Sequence, residues 1–144
     1  MTRRTDIIEE ARRWIGTPYR RGASVRGAGC DCVGLVRGVW RACCGREPHP
    51  LPEYVSRPQG NELAEQLSKY CAVRAAADCQ PGDILVFQWS VGSPPGHCAI
   101  LCRPDSMVHS YAMRSVTETA LTRWWRRRLV AGFAFPGNHV SWDN

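Results

Sequence analysis

Apolar residues recur along the first third of the chain with helical spacing. In the run Asp6-Ile7-Ile8-Glu9-Glu10-Ala11-Arg12-Arg13-Trp14-Ile15, the positions Ile7, Ala11, Trp14 and Ile15 share one helix face. This predicts an amphipathic helix over residues 6–15. Asp6 followed three residues later by Glu9 has the form of a capping box, and Gly16-Thr17-Pro18 ends the element. After a loop over 17–29, helical spacing returns at Val33, Val36, Val39, Trp40 and Cys43, predicting a second helix from Cys32 to about Cys44. Gly34 and Gly38 fall inside it and each weaken it by about 1 kcal/mol relative to alanine. They make sense where another backbone packs closely against the helix. Residues 45–61 carry four prolines and little periodicity, the mark of a long irregular connection, and 61–70 reads as a short helix.

The pattern then changes. Pro81-Gly82-Asp83 is a turn signal ahead of the apolar run Ile84-Leu85-Val86-Phe87. His97 to Cys102, Met107 to Tyr111, Ser115 to Ala120 and Val130 to Phe135 read as further strands, with Arg103-Pro104-Asp105-Ser106 turning the second into the third. Helices first and consecutive antiparallel strands afterwards define an α+β domain. A chain of 144 residues is long enough for one such domain with its own core, so 1–144 is taken as a single unit.

Charge and cysteine content narrow the setting. The formal net charge is +6, and 18 of the 19 basic residues are arginine, which favours anionic polymers or acidic surfaces as partners. No run approaches the roughly 18 apolar residues of a membrane span. The basic N-terminus meets Asp6, Glu9 and Glu10 with no signal-peptide core, so synthesis in the cytoplasm without Sec-type export is expected. That setting favours free thiols for the eight cysteines over a disulfide framework. Cys30/Cys32 and Cys43/Cys44 lack the usual metal-ligand spacing.

The chemistry centres on Cys32. It stands where a glycine-containing turn, Gly29-Cys30-Asp31, enters the second helix. Unsatisfied N–H groups and the positive end of the helix dipole meet there, and both favour a thiolate. Two downstream histidines complete the set. Pairing Cys102 with Ser106 across the turn sets Ala99 opposite His109 and His97 opposite Tyr111, so His97 and His109 become diagonal neighbours on one face. A one-residue slip would separate them. Cys32 would attack a carbonyl, His97 would take the thiol proton and return it to the leaving amine, and His109 would orient the His97 ring. A thiolate–imidazolium pair is the expected resting state. The Cys32 N–H and the Tyr19 hydroxyl would serve the oxyanion.

Five segments occur in order: Gly16-Thr17-Pro18-Tyr19, Asp31-Cys32-Val33-Gly34-Leu35-Val36, Pro81-Gly82-Asp83-Ile84-Leu85-Val86-Phe87, Gly96-His97-Cys98-Ala99-Ile100 and Met107-Val108-His109-Ser110. Together they resemble the NlpC-type cysteine peptidases, papain-like bacterial cell-wall hydrolases, over roughly residues 6–136. The resemblance implies a papain-like α+β core with the nucleophile helix on an antiparallel sheet. It implies Cys32 as nucleophile, His97 as base and His109 as the orienting residue. Tyr19 matches the tyrosine near the oxyanion and substrate site, and Asp31 the acid that helps hold the free amine of a stem peptide. The implied reaction is hydrolysis of an amide in peptidoglycan peptides, typically between γ-D-glutamate and a diamino acid, with no cofactor. Size and the missing leader look most like the stand-alone members of phage tails and gene transfer agents. Peptidoglycan and tail or baseplate proteins are then the expected partners, and the target envelope the expected place of action. Val33 departs from the family's serine after the nucleophile, and Cys98 from its more frequent valine after the base.

Other readings stand beside this one. Arg123-Trp124-Trp125-Arg126-Arg127-Arg128 could suggest nucleic-acid contact, but it is six residues long with no supporting motif. A solvated basic face with one Trp packed inward is preferred, and no nucleic-acid partner is expected. A structural tail-tip protein with little activity, an amidase or acyltransferase using the same thiolate, and a metal or iron–sulfur protein using several cysteines are the rival functions. His49 and His139 are assigned no role.

Overall fold

The structure is a computed structural model, and it describes residues 3–48, 60–111 and 113–137. The irregular connection expected over 45–61 lies largely outside these residues, as do His49 and His139.

The first helix, α1 (Arg4–Arg13), begins two residues earlier than its apolar spacing predicts. Asp6 is therefore not the cap: its carboxylate reaches back to accept from the Arg3 N–H at 3.2 Å. The helix also ends earlier. The Trp14 and Ile15 N–H groups turn to Ala11 and Arg12, three residues back, and Gly16 sits at φ +94°. Trp14 stays in the core, but Ile15 is thrown out to 45% exposure. A two-residue ribbon, β1 (Ser24–Val25) with β2 (Gly29–Cys30), lies in the stretch expected as loop. It leads directly into α2 (Cys32–Cys43), and α3 (Glu62–Tyr70) follows.

The second half is a six-stranded antiparallel sheet: β3 (Ala72–Arg74), β4 (Asp83–Gln88), β5 (Pro95–Arg103), β6 (Ser106–His109), β7 (Thr117–Ala120) and β8 (Leu129–Ala134), in the order β3-β8-β4-β5-β6-β7. A single 3₁₀ turn at Ala76–Asp78 follows β3, and the short helix α4 (Arg123–Arg126) precedes β8. The β5–β6 register pairs Ile100 with Val108 and Leu101 with Met107, as the sequence predicts. The turn itself differs. Arg103 pairs with Ser106, leaving Pro104-Asp105 as a two-residue loop, and Cys102 is absorbed as a bulge.

Alternation along the strands divides the interior in two. Ile84, Val86, Cys98, Ile100 and Val108 face the helices and pack with Ile7, Trp14, Leu35, Val39 and Trp40. Burying each large aliphatic side chain contributes about 1.5–3 kcal/mol. Leu85, Phe87, Ala99, Leu101 and Met107 face the other way, under Leu121 and Trp125. The two helix glycines are both contact positions. A Cβ on Gly34 would collide with the Ala23 carbonyl, the close backbone approach expected from sequence. A Cβ on Gly38 would collide with the Trp14 ring, so here a side chain and not a backbone fills the space.

Polar contacts fasten α1 to the sheet. Arg4 forms a buried ion pair with Asp83 at 2.8 Å and also donates to the Pro81 carbonyl at 2.9 Å. Arg12 grips Glu118 of β7 through two bonds of 3.0 and 3.1 Å. The turn after α1 pairs with the residue ahead of β7: Gly16 N–H donates to Val116, and Val116 N–H to Thr17, at 2.9 and 2.8 Å.

Candidate active site

Asp31 fixes where α2 starts. One carboxylate oxygen accepts from the Gly34 N–H at 2.7 Å and the other from the Gly22 N–H at 2.6 Å. It therefore caps the helix and pins the 20–31 loop across it. Cys32 is the first helical residue and is 1% exposed. Tyr19 is held beside it by a parallel bridge to Cys30, and burial, then the Asp31 charge, then Cys32 push its phenol above the ordinary value. Ser110 closes this corner by donating to the Cys30 carbonyl at 2.8 Å.

His97 and His109 meet as the hairpin register predicts. His97 Nε2 and His109 Nδ1 are 2.9 Å apart, and His109 Nε2 is 3.1 Å from the Thr119 hydroxyl. The pair is enclosed by aromatic rings. Trp89, Tyr111 and Trp125 lie 4.9, 6.0 and 5.5 Å from the His97 ring, and Trp125 lies 5.3 Å from His109. This wall explains the electrostatics. Burial, with a smaller contribution from His109, pushes His97 well below its ordinary value, and burial lowers His109 to about 4. Both rings are neutral at pH 7. The wall therefore works against the imidazolium half of the thiolate–imidazolium pair expected from sequence.

Cys32 lies on the helix side of β5. His97 pairs across the sheet with Phe87 on the face away from the helices, whereas Cys98 is in the helix-side core with Cys32. A hydrogen bond to Cys32, first, and burial, second, push the Cys98 thiol well above its ordinary value, so Cys98 is a persistent S–H neighbour of Cys32. Among the described residues no hydrogen bond joins Cys32 to either histidine. The structure thus joins the histidines to each other and sets Cys32 against Cys98, the residue next to His97 on β5. All eight cysteines are free thiols. No group of three or more His, Cys, Asp or Glu is placed to hold a metal among the described residues.

Sequence reasoning missed Cys98 as the neighbour of Cys32, Thr119 as the neighbour of His109, and Trp89 and Trp125 as the wall. The preferred reading of the Arg123–Arg128 run matches the structure. Trp125 turns inward, while Trp124 is 45% exposed under the Arg128 guanidinium, 3.7 Å from the ring centroid.

A helix that begins on a thiol, packed against an antiparallel sheet carrying a bonded histidine pair, is an α+β, papain-like arrangement. The NlpC/P60 family profile matches residues 16–133, and the chain belongs to that family. It is 26% identical over 139 residues to the gamma-DL-glutamyl hydrolase of Bacillus subtilis (strain 168), an alignment covering 96% of this chain and 31% of that protein. The chain therefore spans about a third of the length of this relative. The fold is shared with the NlpC/p60 domain of the peptidoglycan hydrolase SagA, at TM-score 0.68 and 22% identity over 92% of this chain and 98% of that one. It is shared also with an NlpC/P60 family protein of Bacillus cereus ATCC 10987, at TM-score 0.69 and 22% identity over 92% of this chain and 40% of that one. No helix among the described residues is long and apolar enough to cross a membrane.

Proposed function

We propose that the chain is a cysteine peptidase that hydrolyses amide bonds in the stem peptides of peptidoglycan, with Cys32 as nucleophile, His97 as base and acid, and His109 as the group that orients His97. The observation that carries this is the 2.9 Å bond between two buried histidines in an NlpC/P60 chain whose second helix starts on a thiol. The gamma-DL-glutamyl hydrolase among its relatives supports a γ-D-glutamyl amide as the bond cut.

Because Nε2 of His97 is engaged with His109, Nδ1 is the nitrogen left to act as base. The Cys32 thiol gives its proton to Nδ1 as sulfur attacks the amide carbon. The tetrahedral oxyanion is met by the Cys32 N–H and the Tyr19 hydroxyl. Collapse expels the amine, which takes the proton from Nδ1 and leaves a thioester on Cys32. Water then attacks with His97 again accepting the proton, and the acid product departs with the thiol restored. Asp31 would meet the free amine of the stem peptide through lone pairs left over from its two backbone bonds.

The setting proposed is a phage-like tail or gene transfer agent that carries the enzyme to the envelope of a target cell. Its support is the sequence resemblance, and co-purification of the chain with intact particles tests it. The activity is tested by digesting purified peptidoglycan with wild type and Cys32→Ala, followed by mass spectrometry of released fragments. Stem-peptide fragments from the wild type alone are expected, and their masses name the bond. Equal release by both folded proteins would overturn the assignment of Cys32.

A further inference from the structure

The histidine pair does not end at His109. Thr119 stands on β7 opposite Met107, while Thr117 is the residue directly opposite His109. Residues two apart share a face, so both threonines lie on the face that carries the histidines. The bond from His109 nevertheless goes to the diagonal partner, Thr119 Oγ1, at 3.1 Å. We propose that Thr119 is a positioning residue, whose hydroxyl accepts from His109 Nε2–H and thereby fixes which nitrogen of His97 is free to take a proton.

The argument is a chain of single-proton choices, and it rests on the peptidase reading given above. A neutral imidazole has one N–H and one lone pair. For His97 to act as base at Nδ1, its own proton must sit on Nε2, facing His109 at 2.9 Å. His109 Nδ1 must then offer its lone pair, which leaves the His109 proton on Nε2. That proton points at Thr119, and a hydroxyl can accept it. When His97 takes the Cys32 proton at Nδ1, its Nε2–H continues to donate to His109, and nothing beyond His97 has to move. Loss of the Thr119 acceptor removes the reason for the His109 proton to stay on Nε2. In the opposite tautomer His109 Nδ1–H donates to His97 Nε2, the His97 proton shifts to Nδ1, and the base is blocked.

The test compares Thr119→Val, which keeps shape and loses the hydroxyl, with Thr119→Ser, which keeps the hydroxyl. Thr117→Val is the control on the same strand and face. General acid–base catalysis is typically worth 10²–10⁴-fold, so Thr119→Val should lower kcat at least about tenfold with KM within about twofold. Thr119→Ser should restore kcat, and Thr117→Val should leave it unchanged. Imidazole ¹⁵N shifts provide the readout that does not depend on activity. Wild type and Thr119→Ser should show His109 protonated on Nε2 and His97 on Nε2, whereas Thr119→Val should move both protons toward Nδ1. Unchanged kcat in Thr119→Val, or a wild-type His109 that carries its proton on Nδ1, would overturn the proposal. If wild type is as inert as Cys32→Ala, the peptidase reading fails, and the nitrogen shifts still decide whether Thr119 sets the tautomer.

Discussion

Acid should destabilise this domain through His109 well before its carboxylates protonate. The aromatic wall holds the His109 imidazole at about 4, against 6.5 for an unperturbed histidine. Between those values the unfolded chain binds a proton that the native ring refuses. Stability therefore rises with pH across that window, is complete above about 6.5, and is lost as pH falls toward 4. The gap, at about 1.4 kcal/mol per pH unit, amounts to about 3 kcal/mol. That is a large share of the roughly 5–15 kcal/mol that holds a typical domain folded. The assay is urea unfolding followed by tryptophan fluorescence at intervals from pH 7 to 4, on wild type and His109→Gln. Comparing the two proteins cancels groups that titrate in both, among them Glu118, held down by Arg12, Glu47, where burial is outweighed by Arg37 and Arg41 together, and Asp83, raised by burial. His97, depressed chiefly by burial, remains in both, and only its smaller contribution from His109 differs. The wild type should lose about 3 kcal/mol more than the variant over this range. Parallel curves would refute the reasoning, since they would mean that the wall does not desolvate His109.

Two further outcomes follow from the packing. Arg4→Met leaves the buried Asp83 carboxylate without its ion-pair partner and should cost about 3–5 kcal/mol in urea unfolding, whereas replacing both partners with apolar residues should recover much of that loss. Gly34→Ala drives a methyl group into the Ala23 carbonyl and should displace the 20–31 loop; lowered thermal stability together with lost activity is expected, and a variant with wild-type melting would argue against the close approach.

The parts of the site that were legible in the sequence are those set by local rules. A glycine-containing turn ahead of an apolar run placed Cys32 at a helix start, and the turn signal at Arg103-Pro104-Asp105-Ser106 set the hairpin on which His97 and His109 meet; that Asp31 caps the helix came only with the structure. What stayed hidden depends on contacts between distant segments. Nothing near Thr119 marks it, since its partner lies ten residues away across a strand pair. Trp89 and Trp125 come from different strand connections and converge only when β8 inserts beside β4. The ribbon of β1 and β2 has two residues per strand, too few for any periodicity. Ile15 continued the apolar pattern of α1, but the backbone had already unwound at Trp14. Cys98 was readable in part: its alternation with His97 puts it on the helix side, but only the position of α2 shows that it meets Cys32 there.

The ends of the sheet bear on how the molecule behaves at high concentration. A sheet edge is a row of unpaired N–H and C=O groups that can recruit a strand from another molecule and seed aggregation. Here the outermost strands, β3 and β7, span only three and four residues. Arg74 adds a charge to the first. The approach to β7 is already occupied, because Val116 exchanges both of its backbone bonds with the turn at Gly16 and Thr17. Among the described residues neither border offers a long, flat template, so edge-to-edge fusion of crowded copies is disfavoured.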